Sequence, residues 1–292
     1  MDGREVTKVG KISDALDKFQ NEQNISAQRR NTHKPVSNTA PKIRKAPAMI
    51  EAKRADYHDV DKNLIMILNP KSFEAEQIRM LKSQLLFPIA GNRPQSIMVT
   101  SALPGEGKSF MAGNLAVSLA QSINDYVLLA DCDIRKPTIH RNFGIPDAEG
   151  LSDHLSRDIP LTSLLRKTAL DKLTILPGGN AVGNPGELLS SQKMSKLLDE
   201  LKSRYSDRYV IIDSPPPSLT SETNVIARQV DAILLVVKYR STPRKLLADL
   251  TEKLGKEKIL GAVMNMCDFK SPLQSYNKYG KYTNYYNSYY NE

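Results

Sequence analysis

The sequence lacks tryptophan and contains only two cysteines, Cys132 and Cys267, in 292 residues. Two cysteines form at most one disulfide bond, which excludes a disulfide scaffold and is typical of the reducing cytosol. No apolar run approaches the ~20 residues that a membrane-spanning helix requires. The amino terminus has no apolar segment of the kind that a secretory signal contains. These absences predict a soluble, cytoplasmic protein.

Basic residues outnumber acidic ones by 41 to 32, but the pattern does not indicate nucleic-acid binding. No basic run has aromatic residues interleaved, and no stretch matches a helix-turn-helix or another DNA-binding signature. A surplus of this size also suits an anionic membrane surface or nucleotide phosphates, and a solvated surface is its commonest explanation. We expect no nucleic-acid partner.

The first 60 residues differ in composition from the rest and predict a flexible N-terminal arm. Residues 20–55 are rich in Asn, Ser, Thr, Lys, Arg, Pro and Ala, with almost no large apolar side chain. Such a segment cannot bury enough surface to offset its ordering entropy. Within residues 11–19, Ile12, Leu16 and Phe19 stand at helical spacing, which predicts either a short amphipathic helix or a marginal, frayed one.

Residues 61–269 show the alternation of strand and helix that predicts one α/β domain. Six short apolar runs are continuous, as in strands that helices bury on both faces. They cover residues 96–100, 126–130, 173–176, 209–212, 232–237 and 259–264. Helical apolar patterns lie at residues 72–87, before Pro88, and at 112–120. The alternation predicts a doubly wound, mainly parallel sheet flanked by helices.

A glycine-rich loop joins the first predicted strand to the helix at 112–120, in the context that a phosphate-binding P-loop requires. Gly105 and Gly107 permit torsions and close approaches that other residues forbid, and the loop amides would face phosphates. Lys108 would reach the β- and γ-phosphates, and the Ser109 hydroxyl would bind Mg²⁺. We therefore predict a P-loop NTPase-like site for ATP and Mg²⁺, formed by Ser101, Ala102, Leu103, Pro104, Gly105, Glu106, Gly107, Lys108, Ser109 and Phe110. Ala102 stands where the P-loop pattern has its first glycine.

Two further predicted strands end in acidic residues. Asp131 and Asp133 follow one strand at i and i+2, so both are expected on the same side. Asp213 follows another strand, in the position of a Walker B aspartate. Because the carboxyl ends of parallel strands converge near the P-loop, Asp133 and Asp213 are predicted to bind Mg²⁺ together with Ser109. The alternative is that each aspartate merely caps the turn or helix that follows it.

The last 17 residues hold seven of the chain's 12 tyrosines. The residues between them are small, polar or charged, so this segment cannot build a core. It is either a low-complexity Tyr/Asn tail or a multi-site phosphoacceptor held at high local concentration around a kinase site. Residues 270–292 are predicted to be a disordered tail with the phosphoacceptors Tyr276, Tyr279, Tyr282, Tyr285, Tyr286, Tyr289 and Tyr290.

The three motifs at residues 101–109, 131–137 and 212–215 together resemble the Walker A, Walker A′ and Walker B motifs of the bacterial tyrosine kinases, P-loop enzymes unrelated to eukaryotic-type kinases. The resemblance covers about residues 72–269. It implies an ATP- and Mg²⁺-dependent tyrosine autokinase whose tail is phosphorylated in trans. It also implies that Asp131 orients or deprotonates the incoming tyrosine and that Arg135 steadies the phosphates or Asp131. Asn265 resembles a position that contacts adenine, although a plain turn residue is equally compatible. The implied catalytic set is Lys108, Asp131, Asp133, Arg135 and Asp213.

The resemblance extends to assembly and partners. Glu76, Arg79 and Lys82 are similar to the family's E-x-x-R-x-x-R oligomerisation helix, with lysine in place of the second arginine, so bidentate pairing is lost there. Residues 11–16 resemble the arm of cytoplasmic autokinases that accompany exopolysaccharide export. The expectations are a ring-like homo-oligomer of the unphosphorylated chain, a separate membrane-anchored activator that recruits the chain to the inner face of the membrane, and a tyrosine phosphatase.

A partition- or division-type ATPase, which binds a partner in its ATP state, is the alternative function. The P-loop of those ATPases carries an additional lysine directly after its first glycine. Leu103 occupies that position here and cannot supply a charge to a neighbouring nucleotide. This difference favours the kinase.

Overall fold

The structure is a computed structural model that describes residues 59–88, 93–203, 208–218, 220 and 222–267. All of them belong to the unit Met49–Glu292, one of two into which the chain divides. The predicted N-terminal arm with its helix at 11–19, and the tyrosine-rich tail at 270–292, lie outside the described residues.

Seven strands form one sheet in the order β3–β4–β2–β5–β1–β6–β7. Neighbouring strands are parallel except β3, which runs antiparallel to β4. The predicted, mainly parallel sheet is confirmed, and the bounds of its six predicted strands are correct to within one residue. Their bounds are β1 Ser96–Ser101, β2 Tyr126–Asp131, β3 Arg166–Lys167, β4 Leu173–Leu176, β5 Arg208–Asp213, β6 Ala232–Lys238 and β7 Ile259–Asn265.

Helices pack on both faces of the sheet, which is why the strands read as continuous apolar runs. Along β1, Ile97 and Val99 enter one buried cluster and Met98 enters the other. A 3₁₀ turn, Lys256–Lys258, precedes β7. The α-helices are α1 Ile65–Leu68, α2 Phe73–Leu86, α3 Lys108–Ala120, α4 Ile139–Asn142, α5 Leu151–Arg157, α6 Leu161–Leu164, α7 Pro185–Leu189, α8 Gln192–Ser203, α9 Glu222–Gln229 and α10 Arg244–Leu254.

Helix α2 matches the helix predicted at 72–87. Ser72 is its N-cap, and the Ser72 hydroxyl accepts a hydrogen bond from the amide of Ala75 at 3.1 Å. The helix buries Ile78 and Leu85 and packs against α3. Among the described residues, no helix is both long and apolar enough to cross a membrane.

Helix α3 is more deeply buried than its sequence pattern predicts. Every residue from 111 to 120 is buried, whereas the pattern indicated only an apolar stripe. The segment around α1 covers the outer side of the helix, where the side chain of Asn114 accepts a hydrogen bond from Met66 N at 3.0 Å and donates one to Asn63 O at 2.8 Å. This packing fixes the helix that begins at the P-loop.

Candidate active site

The predicted P-loop lies at the carboxyl edge of the sheet, between β1 and α3. Gly105 and Gly107 have φ angles of +75° and +94°, in the left-handed region that glycine tolerates best. Gly107 is also the N-cap of α3, and a Cβ there would collide with the side-chain amide of Asn265. The backbone conformation therefore favours glycine at 107, and a larger residue would also displace the Asn265 side chain.

The loop is braced by contacts that the sequence did not predict. The buried carboxylate of Glu106 accepts a hydrogen bond from Leu103 N at 2.9 Å through one oxygen and from the Thr242 hydroxyl through the other. The Asn265 side chain donates to the carbonyl of Glu106 at 2.9 Å. Because Thr242 follows β6 and Asn265 ends β7, two neighbouring strand ends support the loop. A single threonine in a turn carries no local signal for this role.

Other predicted loop residues direct their side chains into the protein. The Ser101 hydroxyl donates to Leu103 O at 2.8 Å, and Leu103 and Phe110 each pack against a buried cluster. The carbonyl of buried Ala102 accepts a hydrogen bond from the Ser218 hydroxyl at 2.6 Å. These residues therefore shape the loop, while Lys108 and Ser109 lie beside the acidic residues.

The ammonium group of Lys108 lies close to the acidic residues of the site. Its Nζ lies 2.7 Å from Asp133 Oδ2, 3.9 Å from Asp213 Oδ1 and 3.3 Å from the Ser109 hydroxyl. Burial disfavours the charge on Lys108, but the carboxylates of Asp213 and Asp133 outweigh it and raise its pKa above the ordinary value. The structure thus brings together Lys108, Ser109, Asp133 and Asp213, as the sequence predicted.

Asp213 ends β5 and is fully buried. Neither carboxylate oxygen has a hydrogen-bond partner within the described part of the chain. Burial raises the pKa of Asp213 to about 6, while the Lys108 charge and the Ser109 hydroxyl oppose the rise. A buried carboxylate with free lone pairs beside a hydroxyl offers the oxygen ligands that Mg²⁺ prefers.

No group of three or more His, Cys, Asp or Glu side chains among the described residues forms a metal cage. Mg²⁺ is commonly held by one or two carboxylates, with substrate phosphates and waters completing its shell. Ser109, Asp133 and Asp213 therefore fit a magnesium ion that arrives with a nucleotide.

Asp131 ends β2, next to Asp213 in the sheet register, and is fully buried. Its Oδ2 accepts hydrogen bonds from Thr138 N at 2.9 Å and Ile139 N at 3.0 Å, and its Oδ1 accepts one from Asp133 N at 3.2 Å. Asp131 therefore makes the contacts of a cap on the turn that follows it, which is the alternative role considered above. Burial, with the charge of Asp213, still raises its pKa to about 8 against these amides.

The residues beside the acidic pair differ in exposure. Cys132 is buried, and burial together with the neighbouring carboxylates raises its pKa well above the ordinary value, so its thiol is unreactive. Arg135 lies on the exposed turn after β2. This placement leaves the Arg135 side chain at the protein surface.

The predicted oligomerisation residues occupy one side of α2. Arg79 donates to Glu76 Oε2 at 2.6 Å and also contacts Pro70 O. Lys82 stands three residues further along; burial and the charge of Arg79 lower its pKa. All three side chains are partly exposed. This face of α2 is therefore accessible to another molecule.

Comparisons with known proteins find a P-loop NTPase family model and bacterial tyrosine kinases. A family model described as "ParA: NUBPL iron-transfer P-loop NTPase" matches residues 92–286. Tyrosine-protein kinase YwqD of Bacillus subtilis (strain 168) is 35% identical over 225 residues, which cover 76% of this chain and 92% of that protein. The kinase domain of Escherichia coli tyrosine kinase ETK superposes with a TM-score of 0.64 at 27% identity, covering 74% of this chain and 87% of that domain.

One similar protein has a name of a different kind. The succinoglycan biosynthesis transport protein ExoP of Rhizobium meliloti (strain 1021) is 33% identical over 226 residues. The alignment covers 76% of this chain but only 28% of ExoP. The similarity is therefore to one part of a much longer protein.

Proposed function

The chain belongs to the bacterial tyrosine kinases and is a protein-tyrosine kinase, and from that premise we propose that it is an ATP- and Mg²⁺-dependent autokinase acting on its own C-terminal tyrosines. The observation that carries the proposal is the convergence of Lys108, Asp133 and the buried carboxylate of Asp213 beside the P-loop. This arrangement suits phosphates and a divalent cation together.

Each side of the site has a task in phosphoryl transfer. The P-loop amides and Lys108 bind the β- and γ-phosphates of ATP, and Ser109, Asp133 and Asp213 would hold Mg²⁺. The metal, when bound, neutralises charge on the phosphates. Lys108 stabilises the negative charge of the transferring group, and Arg135 steadies the phosphates. Asn265, which supports the P-loop through Glu106 O, contacts the adenine.

Asp131 accepts the proton of the incoming tyrosine. The phenolic oxygen bonds to the γ-phosphorus, the bond from that phosphorus to the bridging oxygen of ADP breaks, and the proton passes to Asp131 Oδ1. Within the described residues Oδ1 accepts one hydrogen bond, which leaves a lone pair for the proton. A pKa near neutrality suits a general base. Because Asp131 is fully buried, the transfer needs a relaying water or an opening of the turn above it.

The substrate hydroxyls are Tyr276, Tyr279, Tyr282, Tyr285, Tyr286, Tyr289 and Tyr290, and transfer occurs between chains. The 23 residues from Lys270 to Glu292 span at most ~75 Å when extended, so reach does not restrict transfer to one chain. Each phosphorylation adds about −1.5 to −2 charges. Repulsion among phosphorylated tails would then oppose assembly through the Glu76–Arg79–Lys82 face.

The cellular role that we propose is based on the relatives of this chain. The succinoglycan transport relative supports a role in exopolysaccharide synthesis or export. We propose that a membrane-anchored activator recruits this chain to the inner face of the membrane and that a tyrosine phosphatase resets the tail. The domain boundaries proposed are an arm over 1–60, the kinase domain over 61–269 and the tail from 270.

Intact-mass analysis tests the function. The purified full chain is incubated with Mg²⁺ and ATP, beside a variant with all seven tail tyrosines changed to Phe. The wild type should gain up to seven phosphates that map to the tail, and the Phe variant should gain none there. Hydrolysis of ATP without phosphotyrosine would contradict the proposal and support a partition-type ATP switch.

A further inference from the structure

The segment that follows β4 forms one wall around the carboxylate of Asp131. A Cβ on Gly178 would lie 3.4 Å from Asp131 Cγ and 2.6 Å from Pro137 Cβ, so the bare backbone of Gly178 packs directly on the acidic loop. Any shift of residues 177–180 would therefore change the space around Asp131. These four residues are called the glycine wall below.

The N-terminus of α5 holds the glycine wall in place. The amide of Leu151 donates to Pro177 O at 2.8 Å, and the amide of Ser152 donates to Gly178 O at 3.0 Å. The Ser152 hydroxyl also donates to Asn180 O at 2.8 Å. A Cβ on Gly150 would collide with the carbonyl of Pro177, so the two segments are in close contact.

The carboxylate of Asp153 ties these segments together. Its Oδ2 accepts hydrogen bonds from Gly150 N at 2.8 Å and from Asn180 N at 3.3 Å, and its Oδ1 accepts one from the Asn180 side-chain amide at 3.2 Å. Only 4% of the Asp153 side chain is exposed, and Arg157 pairs with it from the outer side. An ionised group this buried requires all of these partners, so it acts as a rigid junction.

The two sides of the active site are supported separately. Contacts from Thr242 and Asn265 brace the P-loop, whereas contacts from Asp153 brace the wall beside Asp131. Loss of the Asp153 junction should therefore loosen the glycine wall, which keeps its hydrogen bonds to Leu151 and Ser152, and leave the phosphate-binding loop unchanged.

We propose that Asp153 is a positioning residue for phosphotransfer, holding the glycine wall against Asp131 so that this carboxylate keeps its orientation toward the incoming tyrosine. The inference rests on the proposed autokinase function, because that function gives Asp131 the role of general base. Asp153 itself contacts no reacting atom. Its effect should appear in turnover and not in the binding of ATP.

Two variants of different severity test the proposal in the full chain. Asp153→Ala leaves Gly150 N and the Asn180 amide without a partner, while Asp153→Asn keeps a similar shape and one acceptor. Since displacement of a catalytic group by about 1 Å costs about 10²-fold, kcat for tail phosphorylation should fall on the order of 10²-fold in Asp153→Ala and about tenfold in Asp153→Asn. The KM for ATP should stay within about twofold in both.

The matched control is Asp158→Asn in the residue that follows α5. Asp158 pairs with Lys193 at 2.5 Å and is 86% exposed, so its neutralisation should leave kcat unchanged. Ser152→Ala, which removes a single bond to the wall, is the gentler variant if Asp153→Ala does not fold; it should still lower kcat with KM for ATP unchanged. Thermal melting identifies the folded variants.

The outcomes separate the two proposals. A wild type that gains no phosphotyrosine overturns the autokinase function and this inference with it. A labelled wild type with unchanged kcat in folded Asp153 variants overturns the positioning role alone. Equal losses in kcat and in affinity for ATP would also overturn it, because they indicate a general structural effect on both sides of the site.

Discussion

Each side of the active site is held in place by a buried carboxylate, but the hydrogen-bond partners of the two carboxylates are distributed differently along the chain. On the P-loop side, a buried carboxylate, Glu106, accepts an amide hydrogen bond from Leu103 within the same nine-residue loop. The second oxygen of Glu106 accepts a hydrogen bond from Thr242, 136 residues further along the chain. On the acidic side, Asp153 accepts amide hydrogen bonds from Gly150, three residues before it, and from Asn180, 27 residues after it. The P-loop is therefore held by a distant part of the chain, whereas the wall beside Asp131 is held by a nearby one.

This difference has a functional consequence. Because each side has its own junction, a change on the P-loop side should alter nucleotide binding, and a change on the acidic side should alter transfer. Lys108 is the residue on which both sides depend, since it belongs to the P-loop and pairs with Asp133. The predictions below use this division, in order of decreasing effect.

Lys108→Met should reduce phosphotransfer about 10³-fold, because it removes the charge that stabilises the transferring group from a water-poor site. The fold should persist, since the side chain acts on charge and not on packing. The same substitution at the exposed Lys136 is the control and should leave activity unchanged. Tail labelling by the Lys108 variant at the wild-type rate would remove the P-loop from the mechanism.

Asp131→Asn and Asp133→Asn should separate the two carboxylates of the acidic loop. Loss of the general base in Asp131→Asn should lower kcat about 10²-fold with little change in affinity for ATP. Asp133→Asn should chiefly raise the Mg²⁺ concentration needed for half-maximal activity. Rates measured across a Mg²⁺ titration distinguish them, and identical curves for both variants would contradict the assigned roles.

Thr242→Val should affect the P-loop side alone. It removes the hydroxyl that donates to Glu106, and the loss of a hydrogen bond to a buried charge, about 1.5–3 kcal/mol, should raise the KM for ATP about tenfold or more. We expect kcat to change little. Thr251→Val is the matched control, because in the described part of the chain the Thr251 hydroxyl donates within α10, to Leu247 O. A larger change in kcat than in KM would contradict the separate support of the two sides.

Asp153→Asn should produce the smallest change, a loss of about 1 kcal/mol in the free energy of unfolding near pH 7. Burial opposes the charge of Asp153, but hydrogen bonds from Gly150, Asn180 and Arg157 outweigh it and hold its pKa below the ordinary value. A lowered native pKa stabilises the fold above the unfolded-state pKa and is lost as pH falls through the native pKa.

The stability difference between wild type and Asp153→Asn should therefore shrink as pH falls below about 4. Urea unfolding at pH 7 and at successively lower pH measures it. Asp158→Asn serves again as the control: Lys193 lowers the pKa of Asp158 too, but this pair is exposed and contributes little to stability. A difference that grows on acidification would contradict the assigned charge state of Asp153.

The sequence predicted the parts of this fold whose causes are local. Strands buried on both faces read as apolar runs, and the P-loop occupies nine consecutive residues, so both were recognised. Strand β3 was missed because Arg166–Lys167 is two residues long and has no apolar side chain. Asp153, Gly178 and Thr242 were missed because their partners lie elsewhere in the chain, and single residues in turns give no periodic signal.

The central claim is that one chain phosphorylates the tail of another. Its most direct test mixes two variants, neither of which can phosphorylate its own tail. Chains that keep Lys108 but have Phe at all seven tail positions are mixed with Lys108→Met chains that keep their tyrosines, and Mg²⁺ and ATP are added. Phosphate should appear on the tail of the Lys108→Met chain, and neither variant alone should acquire tail phosphate. A wild type that labels itself while the mixture stays unlabelled would contradict transfer between chains.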